Sequence, residues 1–208
     1  YDAFLLAGEQ FGLQSVSDYN SGKQEGVHVT QATIRNGRRC STAVAYLRPA
    51  LHRPNLTVKT GCLVEKIIFS GTSAQGVSCR RKGQLESVMA GREVILSAGT
   101  ISSPHILMLS GVGEAAHLNA HGIQMVADLP GVGQGLQDHV VASLRFKSNG
   151  SDALNRKLES LTGRAKLGLE WLMFKKGLGA TSFFEVGAFF DGGSGTDYFN
   201  LQHEFLPF

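Results

Sequence analysis

Between residues 63 and 90 three short β-rich runs, in part alternating apolar and polar, are separated by two tight turns. Residues 63–69 form one β-rich run, Ser70-Gly71-Thr72 turns it, residues 76–80 form the next, Lys82-Gly83 turns again, and residues 85–90 alternate once more. A period of two places alternate side chains on opposite faces, and connections this short join only neighbouring antiparallel strands. The chain is therefore constrained to build a three-stranded antiparallel meander. The next segment differs in kind. Val94-Ile95-Leu96 is a continuous apolar run, as expected of a parallel strand buried on both faces, and it closes in the small residues Ser97-Ala98-Gly99-Thr100. Leu56, Val58 and Thr60 alternate as a further short strand ahead of the meander. Parallel strands on either side of a meander specify a mixed α/β (α+β) fold. Ligands in such sheets gather at strand ends, where a residue without Cβ lets backbone approach closely.

The remaining segments follow from local patterns. Residues 3–13 carry apolar positions at helical spacing, and residues 41–51 do so again with Ser41 or Thr42 as N-cap. Residues 18–26 are a polar loop, and Asn36-Gly37 is a turn with a basic exit. After the apolar run, Ser102 or Ser103 is expected to cap a helix with Pro104 at its first position and Gly111 at its end. Further expectations are a helix at 114–121, a strand at 123–129, a glycine-rich loop at 130–135 and a short strand from 140 to Phe146. A loop at 148–152, a long helix at 154–174, a break at Gly177, and strands at 183–190 and 199–205 complete the chain.

Composition removes several function classes. In 208 residues, 42% hydrophobic and 18% charged content supports a folded core of one domain or slightly more. The net charge of +3 comes from scattered Lys and Arg, so no nucleic-acid surface is expected. No apolar run reaches the ~18 residues of a membrane span. Cys40, Cys62 and Cys79 are too far apart for a metal knuckle and odd in number, so buried reduced thiols are expected and no metal. The sequons at Asn55 and Asn149 lack a secretory leader beside them, and an intracellular location is expected. The chain starts at Tyr1 and stops inside an apolar stretch, which reads as an internal piece of a longer protein.

Two glycine motifs invite a dinucleotide reading. Gly111-Val112-Gly113-Glu114-Ala115-Ala116 fits G-x-G-x-x-A, with Asp128 placed to meet a ribose. That fingerprint needs a strand before it, and the capped segment ahead of Gly111 reads as a helix. Gly131-Val132-Gly133-Gln134-Gly135 fails the spacing at Leu136, and it is either an ordinary tight loop or a cofactor contact.

Longer motifs carry a resemblance. The run from Ser97-Ala98-Gly99-Thr100-Ile101-Ser102-Ser103-Pro104 to Leu109-Ser110-Gly111-Val112-Gly113 closely resembles the second signature of the glucose–methanol–choline (GMC) oxidoreductases. Leu129-Pro130-Gly131-Val132-Gly133-Gln134 and Leu136-Gln137-Asp138-His139 look like the loop that follows it in that family. Gly37-Arg38-Arg39, Ala45-Tyr46-Leu47 and Arg53-Pro54-Asn55-Leu56 resemble its approach to the flavin domain. Gln24-Glu25-Gly26, Glu170-Trp171-Leu172 and Phe205-Leu206-Pro207 resemble the choline-dehydrogenase-like branch. Gly135 departs from the pattern, since relatives usually carry Asn there.

The resemblance implies a partial FAD-binding, Rossmann-like domain with its meander, joined to part of a substrate domain on an antiparallel sheet. It implies a cap-side segment at 1–37, the FAD domain at 38–138 and the substrate domain at 139–208. The activity implied is oxidation of the CH–OH group of a choline-like or other primary alcohol with hydride transfer to FAD. The alternative is an inactive or lyase-type relative that keeps FAD as a structural element. Val64 is implied in holding the adenine through its main chain, or is a plain strand valine. Ala98 and Gly99 are implied as FAD neighbours, or serve tight helix–sheet packing. Glu185, an acid within Phe183-Phe184-Glu185-Val186-Gly187-Ala188-Phe189, is implied to face the substrate cation, or faces solvent or a structural Arg. No catalytic residue is expected here, because the family's G-x-G-x-x-G unit and proton-handling His pair match nothing in the chain. Asp138-His139 is read as a structural link rather than a dyad.

Overall fold

The computed structural model describes residues 2–147, 158–193, 195 and 198–207. They fall into two compact units: Tyr1–Leu56 with Arg145–Phe208 (unit 1), and Thr57–Leu144 (unit 2). Residues 38–56, expected in the FAD domain, thus cluster with unit 1. The Asn149 sequon, the 148–152 loop and residues 154–157 of the long helix lie outside the described residues.

Unit 2 is built on the expected meander. Strands β4 (Cys62–Ser70), β5 (Ser73–Arg81) and β6 (Gln84–Met89) pair antiparallel in the order β4-β5-β6. Helix α3 (Gly99–Leu109) packs on β4. Ser110, just past its end, is buried and fully used: its hydroxyl accepts from the Ile67 backbone N–H at 2.8 Å and donates to the Ile106 carbonyl at 2.5 Å. Strand β7 (Val112–Gly113), helix α4 (Ala115–Ala120) and strand β8 (Ala127–Asp128) form a small parallel βαβ unit. Ile67, Cys79, Ile106, Val112 and the fully enclosed Leu118 make the core.

Several expected elements in this unit are corrected. Residues 56–60, 94–96 and 140–146 form no strand. A strand persists where a neighbour takes its N–H and C=O groups, and among the described residues none flanks these segments. Ile95 is left 78% exposed, so the two-faced burial its apolar run demands is not met within this chain. Strand β8 is shorter than the expected 123–129. Helix α3 begins at Gly99, which moves Pro104 from the first position to the interior. Ser103 does not cap the helix but accepts from the Ala98 N–H at 3.1 Å.

Unit 1 is organised by a three-stranded sheet. Strand β9 (Val186–Phe190) is central, flanked antiparallel by β1 (Gly26–Val29) and β10 (Leu201–Phe205). Strand β1 was not expected from sequence, and β9 and β10 are shorter than the runs that contain them. Helix α1 (Asp2–Gln10) packs on β1 and β9, and Val16, Val27, Val186 and Ala188 are buried. Asn36 (φ 53°) and Gly37 (φ 64°) form the turn between β2 (Ile34–Arg35) and β3 (Arg38–Arg39), as the sequence predicts. The single helix expected over 41–51 is instead a π-helical turn, Ala43–Leu47, running into α2 (Arg48–Ala50) without a side-chain cap. Pro49 has no N–H for the Ala45 carbonyl and its ring crowds it, which accounts for the wider turn. Helix α5 (Leu161–Phe174) carries Trp171, whose indole N–H donates to the Gly37 carbonyl at 2.7 Å. Of the cysteines, Cys79 is buried and Cys40 and Cys62 are only half-buried, which corrects the expectation of three buried thiols.

His28 on β1 is 4% exposed, stacked on Phe189 at 5.1 Å and against Tyr19 at 4.1 Å, and its Nδ1 has no hydrogen-bond partner. Burial lowers its pKa, and a backbone hydrogen bond at Gly26 opposes this incompletely. The folded state then binds fewer protons than the unfolded one, so the neutral ring's stabilisation is present above the ordinary value of about 6.5 and lost as pH falls below it. Urea midpoints are expected to drop between about pH 7.5 and about pH 5.5, with a smaller drop in a His28→Phe variant. An equal drop in both proteins would refute the assignment.

Among the described residues no helix is long and apolar enough to cross a membrane, and no group of three or more His, Cys, Asp or Glu could hold a metal.

Candidate functional site

The sequence-predicted residues occupy two places, one in each unit. In unit 2, Val64 lies half-buried on β4 opposite Cys79. The register shifts between Val64 and Lys66, a bulge that releases the regular ladder and re-aims the local backbone groups. Strand β4 is also the edge of its sheet, so half its peptide groups face away from β5. One of these, the Ile67 N–H, is taken by Ser110.

Ala98 and Gly99 stand at the opposite end of α3 from Ser110. Gly99 has φ +89°, a conformation that strains any residue with a Cβ. A Cβ built there would meet no atom within 4 Å. Tight helix–sheet packing is therefore not what requires glycine. The backbone conformation requires it, and open space lies beside the first N–H groups of an eleven-residue helix. An edge strand with a bulge and an unfilled helix start are both suited to a ligand held by main-chain groups.

The glycine motifs resolve differently. Gly111 to Gly113 follow α3, a helix, so the strand required by a dinucleotide fingerprint is absent. A Cβ on Gly111 would lie 2.3 Å from the Gln124 carbonyl, so protein rather than ligand fills that space. Asp128 Oδ1 accepts from the Ala115 N–H at 3.0 Å, which uses the carboxylate at the start of α4. Val132, Gly133 and Gln134 wall a cavity of about 240 Å³ with Met108, Glu114 and His117. The Asp138 carboxylate accepts from the backbone N–H of His139 at 2.8 Å, a local turn contact without the imidazole.

In unit 1, Glu185 immediately precedes β9, and its carbonyl accepts from the Thr30 N–H at 2.9 Å, continuing the β1–β9 ladder. Its half-buried carboxylate lines a cavity of about 390 Å³ with Phe4, Phe183, Val186, Phe205 and Pro207. That volume is in the range of small-molecule sites. Phe4 and Phe205 meet at 5.4 Å between ring centres, and Phe4 also touches the His203 ring at 5.3 Å. Phe183 has φ +66°, a costly conformation for an aromatic residue, held beside the cavity. The ion pairs among the described residues are Lys59–Glu86 and Arg80–Glu65, so no structural Arg pairs with Glu185.

Sequence reasoning missed Phe4, Phe183 and Phe205 as cavity residues. Phe183 and Phe205 lay inside quoted motifs, but nothing local links them to a phenylalanine at position 4. The approach of the α1 start to the end of β10 is purely tertiary.

Residues 1–141 match the family described as GMC oxidoreductase. The whole chain aligns at 46% identity over 207 residues with an oxygen-dependent choline dehydrogenase of Brucella ovis, covering 37% of that protein. It aligns at 42% with one of Photobacterium profundum, covering 36% of it. An FAD-dependent oxidoreductase from Chaetomium thermophilum has a similar structure over 91% of this chain and 34% of its own, with TM-score 0.78 and 28% identity. The chain thus spans little more than a third of the relatives it matches.

Proposed function

Since this chain belongs to the GMC oxidoreductase family, we propose that it is part of an FAD-dependent enzyme oxidising the CH–OH group of a choline-like primary alcohol. The observation that carries the reading is the unit 1 cavity, where the Glu185 carboxylate, in no ion pair among the described residues, stands among Phe4, Phe183 and Phe205. A quaternary ammonium has no hydrogen to donate, so it is recognised by ring faces and a counter-charge, and this cavity offers both. A neutral alcohol of the same shape would gain only the apolar contact. The names of the choline dehydrogenases it resembles point the same way.

For the cofactor, Val64, Ala98 and Gly99 are the residues that would hold FAD. Main-chain groups at the β4 bulge would meet the adenine, and the unfilled space at Gly99 would admit a close neighbour. FAD, when bound, supplies the hydride acceptor, and the chain's part is to bind and orient. The division proposed is an FAD part at 38–138, flanked by a cap-side segment at 1–37 and a substrate part at 139–208. The cavity draws Phe4 from the first segment and Phe183, Glu185 and Phe205 from the last. The residues that take the hydroxyl proton are proposed to lie in the rest of the longer protein.

The full-length protein is expected to purify yellow. Mixed without oxygen with an alcohol bearing a quaternary ammonium, its flavin band should bleach, and much faster than with the neutral tert-butyl analogue. A colourless protein, or equal rates for the two alcohols, would refute the cofactor and substrate readings respectively.

A further inference from the structure

Cys62 opens β4 and Cys79 lies in β5. The strand register sets Cys62 opposite Arg81 and Val64 opposite Cys79, so the two thiols are diagonal neighbours on one face of the meander. Cys62 Sγ donates to the Thr60 carbonyl at 3.8 Å. The two differ in access. Cys79 is 3% exposed, whereas Cys62 is half-buried and stands at the strand's first position. Burial, with the neighbouring Cys62 adding to it, pushes the Cys79 thiol up. Cys40, in unit 1, belongs to neither strand.

We propose that Cys62 and Cys79 form a peroxide-responsive disulfide within the β-meander, with Cys62 oxidised first and Cys79 the resolving thiol. In the first step the Cys62 sulfur attacks the peroxide O–O bond. The bond breaks, one oxygen leaves as an alcohol or water, and Cys62 becomes a sulfenic acid. In the second step the Cys79 sulfur attacks that sulfur, the S–O bond breaks, and the hydroxyl leaves as water with the Cys79 proton. The peroxide takes two electrons, one from each sulfur of the new S–S bond. A second thiol one diagonal away on the same face of the sheet favours this second step over further oxidation of Cys62.

Closing the bond also moves backbone. Diagonal neighbours in a sheet have Cα atoms about 7–8 Å apart, whereas a disulfide holds them at about 4.4–6.8 Å. Oxidation therefore draws the start of β4 towards β5, two residues from Val64 and its bulge. That consequence for FAD rests on the adenine role proposed for Val64, and the thiol chemistry does not.

The test uses the full-length protein with its flavin. It is reduced, freed of reductant, titrated with tert-butyl hydroperoxide, alkylated and mapped by mass spectrometry. The expected result is loss of the Cys62 and Cys79 thiols to a single linked peptide pair, with Cys40 still alkylated and dithiothreitol restoring both. A Cys79→Ser variant should accumulate a Cys62 sulfenic acid that dimedone traps. A link to Cys40, or Cys62 over-oxidised while Cys79 remains alkylatable, would overturn the proposal, and the wild-type map decides this even if the variant does not fold. Flavin retention is read in the same samples. Linkage with unchanged retention would overturn the Val64 consequence and leave the disulfide standing.

Discussion

Replacing Glu185 with Gln in the full-length protein is expected to raise KM for a quaternary ammonium alcohol by about ten- to a hundredfold, or roughly 1.4–2.8 kcal/mol. KM for the neutral tert-butyl analogue should stay within about twofold. The substitution keeps shape and removes charge. No cation within the described structure pairs with the carboxylate, so no ion pair is broken by the change. A solvated ammonium near a half-buried carboxylate keeps part of its Coulomb attraction, while the contributions of Phe4, Phe183 and Phe205 survive the mutation. Steady-state kinetics with both alcohols, alongside urea midpoints for the two proteins, separate recognition from folding. Equal losses for the two alcohols would show that Glu185 shapes the cavity without reading the charge.

The 208-residue chain on its own is expected to be colourless and to bind FAD no tighter than about millimolar, worth about 4 kcal/mol. FAD carries two phosphates, which proteins hold with N–H groups at a helix start where the macrodipole favours negative charge. The chain's fingerprint match has its space filled at Gly111, and Asp128 already occupies the amide at Ala115. The start of α3 at Gly99 has open space beside it, but with Val64 and Ala98 it is proposed to face the adenine side, which leaves the phosphates to the rest of the longer protein. Exposed apolar residues such as Ile95, Val140, Val141 and Phe146 would also favour self-association over ligand capture. Titrating FAD and following flavin fluorescence tests this. Saturation at micromolar FAD would show that this chain holds more of the cofactor site than the pieces named.

What the sequence revealed was what local chemistry encodes. The meander was legible because a period of two and the turns at Ser70-Gly71-Thr72 and Lys82-Gly83 agree with each other, and Asn36-Gly37 specified its turn in the same way. What failed was what depends on a distant neighbour. Val94-Ile95-Leu96 has the composition of a buried strand, yet the described residues offer it no ladder partner. Strand β1 was invisible because Gly26-Val27-His28-Val29 is short, and only its pairing with Val186–Phe190 makes it a strand. The site divides similarly. Glu185 announced itself as an acid among aromatics, whereas its companion Phe4 is supplied by a helix at the other end of the sequence. Gly99 was singled out as a cofactor neighbour or a packing residue, and packing and backbone conformation could be told apart only by the empty space around it.

The pairing of β1 with β9 also sets a timetable for the nascent chain. Val29 waits for Val186, about 160 residues later, and at about 5–20 residues per second the ribosome needs roughly 8–30 s to deliver it. Unit 2 lies wholly inside that interval, and β4, β5 and β6 are joined by short turns, so its contacts close quickly. The meander can thus be complete while the edge of β1 that β9 will take is still bare, its other edge meeting Gln14 and Val16. The unit 1 sheet is the last part of this chain able to form, and during that wait β1 is exposed to mispairing with other unpaired strand edges.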